Sequence, residues 1–381
     1  MRKFKKIAET TWFLFLAVII IAVCGCVSKS AEREYITIGA LLPLTGEDSD
    51  EGFRALNGLY LAKKEINKNG GILGKKLDVI ILNDRGDGEY IVRQYNKLKE
   101  KGVSAIIGSC YSSVTIALAD AAEKDGIPII SPTASNPEVT IGRKNVFRAI
   151  FIDDYQAEVM AYFAYNSLNA RTAVVLNNKT NAAFNRIVKI FIESFEKRGG
   201  RIIAVEQYSS GDDFTGILGK YAANSPDVIF CPENYVPAAK LVNTAYKIGL
   251  VNTRILGSDA WDGLLAYVYP DAMKNVYYSA PFSFDDQDKD VVRFVRSYFD
   301  AFSQMPLSGS AAAYTCVYIL SEAIKKAGSA KKDAFVSAIK ENELDSIIGR
   351  IRFDENNNPR TNVYIIQIEG GEYSTYEKLS L

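Results

Sequence analysis

VSAIIGSCYSSVTIALADAAEKDGIPIISPTASNP, residues 103–137, holds one full turn of the pattern from which the chain is built. Residues 103–107 (VSAII) read as a strand, and a helical stretch follows through Ala119. A second apolar run fills 127–130 and ends in a loop dense in hydroxyls and proline. Strand, helix and strand in succession build a parallel sheet with helices against its faces. The alternation continues in both directions. Toward the amino terminus, 35–42 and 77–82 read as strands, 53–69 and 90–101 as helices. Leu56, Leu59 and Ile66 share one stripe of 53–69, which Gly70-Gly71 stops. Toward the carboxyl terminus, 172–176, 201–205, 228–231 and 254–256 are strand-like, with helical stretches 182–197 and 236–248 between them. The predicted class is α/β, with doubly wound parallel sheets buried on both faces.

Near Val276 the alternation breaks. Two helical stretches, 288–302 and 311–327, follow almost directly, and from Ile348 onward short strands surround the turn Asn356-Asn357-Asn358-Pro359. A chain of 381 residues exceeds what one core usually serves, so two lobes are expected.

The composition narrows the function. Lys+Arg and Asp+Glu both number 45, which gives no reason to expect a nucleic-acid partner. Histidine is absent, which removes the commonest general base and the commonest metal ligand. The chain starts with Arg2, Lys3, Lys5 and Lys6, then an apolar run at 12–24, WFLFLAVIIIAVC. That run is short for a spanning helix and right for a signal-peptide core. Val23-Cys24-Gly25-Cys26 resembles a lipobox, so residues 1–25 are expected to be a lipoprotein signal, Cys26 its lipidation site and 26–34 a polar tether. A plain signal peptide or short anchor is the blander alternative. Cys110, Cys231 and Cys316 are far apart and show no CxxC spacing, so they are expected to be buried single thiols, not zinc ligands.

Ligands of open α/β sheets sit beyond the carboxyl ends of the strands. GSCYSSVT at 108–115 follows a strand and opens a helix; Ser112, Ser113 and Thr115 offer hydroxyls beside free helix N–H groups, a combination suited to an anion. The same residues would serve equally as a helix cap. SPTASNP at 131–137 repeats the hydroxyl pattern, and is otherwise a solvated loop. In GSDAW at 257–261, Asp259 can accept from an ammonium and Trp261 can cover an apolar group, or the pair form a turn with a core aromatic. Asn234 and Tyr235 follow another strand end.

Catalytic patterns are weak. Ser194-x-x-Lys197 and Ser337-x-x-Lys340 lie on amphipathic helical stretches without a KTG partner. Residues 354–365 imitate a calcium loop, but Pro359 stands where glycine is required and Ile365 where the closing glutamate belongs. There is no P-loop and no GxGxxG, so no cofactor is implied. Asn178-Lys179-Thr180 is a glycosylation sequon, which means nothing if the exporter is bacterial.

Taken together, IGALLPLTG (38–46), EINKNGGILGKKL (65–77), AIIGSCYSSVT (105–115), IPIISPTASNPEVT (127–140) and VFRAIFIDDYQ (146–156) resemble type I periplasmic binding proteins. The likeness is to the substrate-binding proteins of branched-chain amino-acid ABC importers and runs from Tyr35 into the last strands. It implies two lobes joined by three crossing strands, near 150–153, 280–281 and 362–365. The lobes would comprise 35–151 with 281–362, and 152–280 with 363–381. It implies an amino acid held through its carboxylate by Ser112, Thr133 and Ser135, with its ammonium on Asp259 and its surface against Tyr235. Glu51, Asn181 and Gly309 stand where relatives often place aromatics, which leaves a polar or larger ligand open. Cys110 has no partner in NDRGD (83–87), so a disulfide common in relatives is expected to be missing. The implied partners are a permease and an ATPase, with a membrane lipid anchor. A sensing subunit that signals through another chain is the rival function, and an enzyme the third.

Overall fold

The computed structural model describes residues 34–46, 49–209 and 211–381. The signal segment, Cys26 and nearly all of the tether lie outside the described residues. No helix among the described residues is long and apolar enough to cross a membrane.

In chain order the elements are β1 (Tyr35–Leu42), α1 (Ser49–Lys68), β2 (Lys76–Asn83), α2 (Gly88–Glu100), β3 (Ile106–Gly108), α3 (Ser112–Ala122), β4 (Ile129–Ser131), β5 (Val146–Arg148) and α4 (Asp153–Tyr162). Next come β6 (Thr172–Asn178), α5 (Asn185–Lys197), β7 (Arg201–Tyr208), α6 (Phe214–Leu218), β8 (Val228–Phe230), α7 (Tyr235–Lys247), β9 (Arg254–Gly257) and β10 (Val276–Ala280). The chain ends with α8 (Lys289–Phe302), α9 (Ser308–Ala327), α10 (Lys332–Lys340), β11 (Glu343–Ser346), β12 (Gly349–Arg352), β13 (Val363–Glu369) and β14 (Glu372–Leu379).

Two sheets organise the molecule. The first is parallel throughout, in the order β2-β1-β3-β4-β5. The second runs β14-β13-β10-β9-β8-β6-β7. Its β7-to-β10 part is parallel, whereas β13 lies antiparallel to β10 and β14 antiparallel to β13. The expected short tail strands are thus two full strands that extend a parallel sheet at its edge. β11 and β12 pair separately as a hairpin.

The apolar alternation along the strands explains the layering. On β1, Ile36, Ile38, Ala40 and Leu42 enter a core shared with α1, α8 and α9, while Leu41 faces a second core built with α2 and α3. On β6, Val174 and Leu176 join the α7 side, and Ala173 and Val175 the side of α4 and α5. Side chains alternate across a strand, so such a sheet must be covered twice, which is the doubly wound arrangement. On α1, Ala55, Leu59, Ala62 and Ile66 are buried at helical spacing, and Leu56 packs at the edge of the same core.

The chain passes between the sheets three times: after β5, after β10 and before β13. After β10 the helices α8, α9 and α10 return to the first sheet's core. The calcium-like segment opens with a turn and runs into β13. Asp354 Oδ1 accepts from the backbone N–H groups of Asn356 and Asn358 (2.9 and 2.8 Å), so the carboxylate is spent on its own loop. Cys110, Cys231 and Cys316 are buried free thiols, as the spacing suggested.

Candidate functional site

In each sheet the strand order reverses once in the middle, between β1 and β3 and between β6 and β8. The loops after those strands are where a ligand crevice is expected.

On the first sheet, the loops after β3 and β4 are laced together. Ser109 Oγ donates to Asp84 Oδ2 (2.7 Å), and Ser131 Oγ donates to the Ser109 carbonyl (2.7 Å). Thr133 Oγ1 donates to the Cys110 carbonyl (2.9 Å). Ser112 Oγ accepts from the Asn136 N–H (3.2 Å), which leaves its own proton free to donate. Ser112 also opens α3, whose first N–H groups lack intrahelical partners. The Ser135 hydroxyl bonds the Asp153 carboxylate. Of the three predicted carboxylate donors, Ser112 is therefore ready, while Thr133 and Ser135 serve protein acceptors. Ser113 is exposed. Arg148, which the sequence reading missed, lies fully buried beneath this loop. Its guanidinium donates to the carbonyls of Ala134 (2.6 Å) and Asn136 (2.7 Å), and burial pushes its pKa down to about 10.

On the second sheet, Asp259 follows β9 and is fixed by Gln156 of α4. Gln156 Nε2 donates to Asp259 Oδ1 (3.0 Å) and to Asp153 Oδ1 (3.0 Å), while its Oε1 accepts from the Asp259 N–H (3.1 Å) and from Ser279 Oγ (2.9 Å). No cation pairs with Asp259 among the described residues. Burial, with added repulsion from Asp153, Asp262 and Glu51, raises its pKa to about 7. Trp261 takes the core role of its two possible ones. It carries no accessible surface and packs into the core of the second sheet, so close to Gly257 that a Cβ there would overlap the indole ring. Tyr235 opens α7 with its ring 5.5 Å from that of Tyr267.

The two sides meet through α1. Glu51 and Arg54 form an ion pair at 3.3 Å, and Arg54 Nη1 reaches the Asp262 carbonyl (3.2 Å), with its guanidinium carbon 6.0 Å from the centre of the Tyr235 ring. Asp262 Oδ2 accepts from the N–H of Ser308 on α9 (2.7 Å). The Glu51 carboxylate sits on the bare backbone of Gly309, where any Cβ would strike Oε1. Burial raises the pKa of Glu51, and its charge in turn raises those of Cys110 and Asp259, so the three lie within electrostatic reach. Glu51, Ser112, Thr133, Ser135, Tyr235 and Asp259 thus cluster where the two sheets' switch-point loops approach. Arg54, Arg148, Gln156 and Asp262 join them without a local sequence signal, because only tertiary contacts bring them in.

The arrangement offers hydroxyl and N–H donors at one end and an acceptor carboxylate at the other. The profile of the periplasmic binding protein family matches residues 35–372. The leucine-, isoleucine-, valine-, threonine- and alanine-binding protein of Pseudomonas aeruginosa is 26% identical over 341 residues, 88% of this chain and 90% of that one. A Leu/Ile/Val-binding protein of Rhizobium johnstonii is 30% identical over 336 residues, 84% of this chain and 88% of that one. Among solved structures, the isoleucine complex of the branched-chain amino acid transporter substrate-binding protein LivJ from Streptococcus pneumoniae superposes with a TM-score of 0.84 at 26% identity, covering 91% of this chain and all of that one. The leucine-binding protein LivK of Thermotoga maritima gives 0.81 at 26% identity, covering 91% and 99%. The chain belongs to the periplasmic binding protein family and resembles the substrate-binding proteins of branched-chain amino-acid ABC transporters, which are solute binders and not enzymes.

Proposed function

We propose that this protein captures an amino-acid-like ligand between two lobes, residues 35–151 with 281–362 and residues 152–280 with 363–381, and presents it to the permease and ATPase of an ABC importer. The observation that carries the reading is the polarity of the cleft. The free Ser112 hydroxyl and the first N–H groups of α3 suit an anion, and the Asp259 carboxylate, locked by Gln156 and paired with no cation among the described residues, suits a cation. A zwitterion matches both ends at once. Thr133 and Ser135 join as donors once the ligand carboxylate displaces their present acceptors. The relatives' names, which specify branched-chain and small amino acids, support the ligand class. A thermal-shift screen of the mature domain against amino acids, their amides and small carboxylates tests it. Stabilisation by amino acids alone is the expected result; stabilisation by carboxylates lacking an ammonium would overturn it.

Family membership implies an extracytoplasmic location. We further propose a lipid anchor at Cys26, on the strength of the basic start, the short apolar core and the Gly25-Cys26 junction. Cys26→Ala should abolish lipid labelling and either release the domain or leave its precursor uncleaved. Unchanged processing and membrane attachment in that variant would refute the anchor.

Capture requires the lobes to hinge about the three inter-sheet passages. X-ray scattering should show the radius of gyration fall when a stabilising amino acid is added to saturation. An unchanged scattering curve under those conditions would count against closure.

A further inference from the structure

Glu233, just past the end of β8, has no role in the ligand contacts described above. It is 2% exposed, and among the described residues no Lys or Arg pairs with it. Three donors satisfy its carboxylate instead. Oε2 accepts from Asn178 Nδ2 (2.6 Å) and from the Tyr208 hydroxyl (2.7 Å), and Oε1 accepts from the Asn234 N–H (2.9 Å). These donors come from three elements. Asn178 ends β6, Tyr208 ends β7, and Asn234 leads into α7 and Tyr235. Asn178 passes the constraint onward: its Oδ1 accepts from the N–H (3.0 Å) and the hydroxyl (2.7 Å) of Thr180, and its carbonyl from the Asn181 N–H (3.1 Å). The bonds straddle the switch point between β6 and β8, where both loops border the crevice.

A buried charge without a counter-ion is costly, so packing alone would favour an apolar residue here. What a carboxylate adds is acceptor capacity on both oxygens, which three converging donors require. We propose that Glu233 is a positioning residue that ties the loop 178–181 to the loop 233–235, so that the two second-lobe walls of the cleft move as one unit. Its consequence for binding rests on the ligand reading above; the tie between the loops does not.

Glu233→Gln keeps the shape but turns one acceptor oxygen into a donor, which orphans at least one of the three N–H or O–H groups. Hydrogen–deuterium exchange of the ligand-free variant should speed up at 178–181 as well as at 233–236, while peptides of the first sheet keep their wild-type rates. Asn178→Ala provides the reciprocal readout, and stands in if the first variant fails to fold: it should loosen 233–236, where its own residue does not lie. Loosening confined to the mutated loop, or spread evenly over the protein, would overturn the proposal, since a merely structural role gives one or the other. Calorimetry with L-isoleucine then reads the functional arm. Glu233→Gln should lose about tenfold in affinity, as for one lost charge-assisted hydrogen bond, and wild-type affinity in a variant with loosened loops would overturn the positioning role. Failure of the wild-type protein to bind any amino acid would instead sink the ligand reading and leave the exchange result standing.

Discussion

Asp259→Asn should weaken amino-acid binding by ~2–5 kcal/mol, roughly thirty-fold to several thousand-fold in affinity, because it leaves a buried ligand ammonium without its counter-charge. The substitution tests charge and not shape, since the Asn side-chain oxygen can still accept from Gln156 Nε2. Ser112→Ala should cost less, ~1–3 kcal/mol, as it removes one hydrogen-bond donor from a site with other N–H groups. The pH dependence supplies a second signature. Burial and neighbouring carboxylates hold the Asp259 pKa at about 7, against 3.8 for an unperturbed carboxyl. The folded protein therefore keeps this proton more tightly than the unfolded chain does. The associated stability is full below the unfolded value and is lost as pH rises through about 7. An ammonium reverses the preference. Ligand affinity should climb between pH 5.5 and 8, with a proton released on binding at the acidic end. Unliganded Asp259→Asn should melt no lower than wild type at pH 8, where wild type carries the uncompensated charge. Equal affinities of the two proteins for the same amino acid, by calorimetry at pH 8, would remove Asp259 from the site.

The position of Asp259 was legible in the sequence because strand ends are. A short apolar run followed by Gly-Ser-Asp marks a loop at the carboxyl edge of a sheet whatever the rest of the chain does. The same holds for Ser112 and Thr133, and for α1, whose apolar stripe has helical period. What stayed hidden was every partner that arrives from elsewhere. Gln156 sits 103 residues before Asp259 in the chain, and nothing local marks it as the group that orients the carboxylate. Arg148 ends a strand of three residues, too short for alternation to show, and its buried guanidinium is visible only once the 134–140 loop is folded over it. Trp261 reads from the sequence as a ligand cover with a core aromatic as the alternative, and its burial against Gly257 gives it the core role. β14 was hard to read because it is an edge strand, with exposed residues alternating along most of its length.

The Glu51–Arg54 pair should behave non-additively. Each side chain is about a fifth exposed, 19% and 20%, so losing one partner is expected to cost roughly half of the ~3–5 kcal/mol of a fully enclosed pair. Arg54→Met leaves Glu51 facing Gly309 and the Asp259 charge without relief, and also breaks the bond to the Asp262 carbonyl. Glu51→Leu leaves the guanidinium with that carbonyl, the Tyr235 ring and the weaker pull of the Asp262 and Asp50 carboxylates among the described residues. The double variant removes both desolvated charges together. Its stability should return to within about 1 kcal/mol of wild type or exceed it, as when a buried ion pair gives way to apolar residues of similar volume. Chemical denaturation of the four proteins closes the cycle. Simple additivity of the two single losses would show that the groups do not depend on each other. Ligand preference should move as well. An aliphatic side chain pressed against Glu51 must strip water from a carboxylate and gain nothing in return, whereas a side chain with a hydrogen-bond donor meets it. Relative to wild type, the double variant should therefore bind leucine more tightly and glutamine less tightly. An unchanged leucine-to-glutamine ratio would place Glu51 outside the volume the ligand side chain occupies.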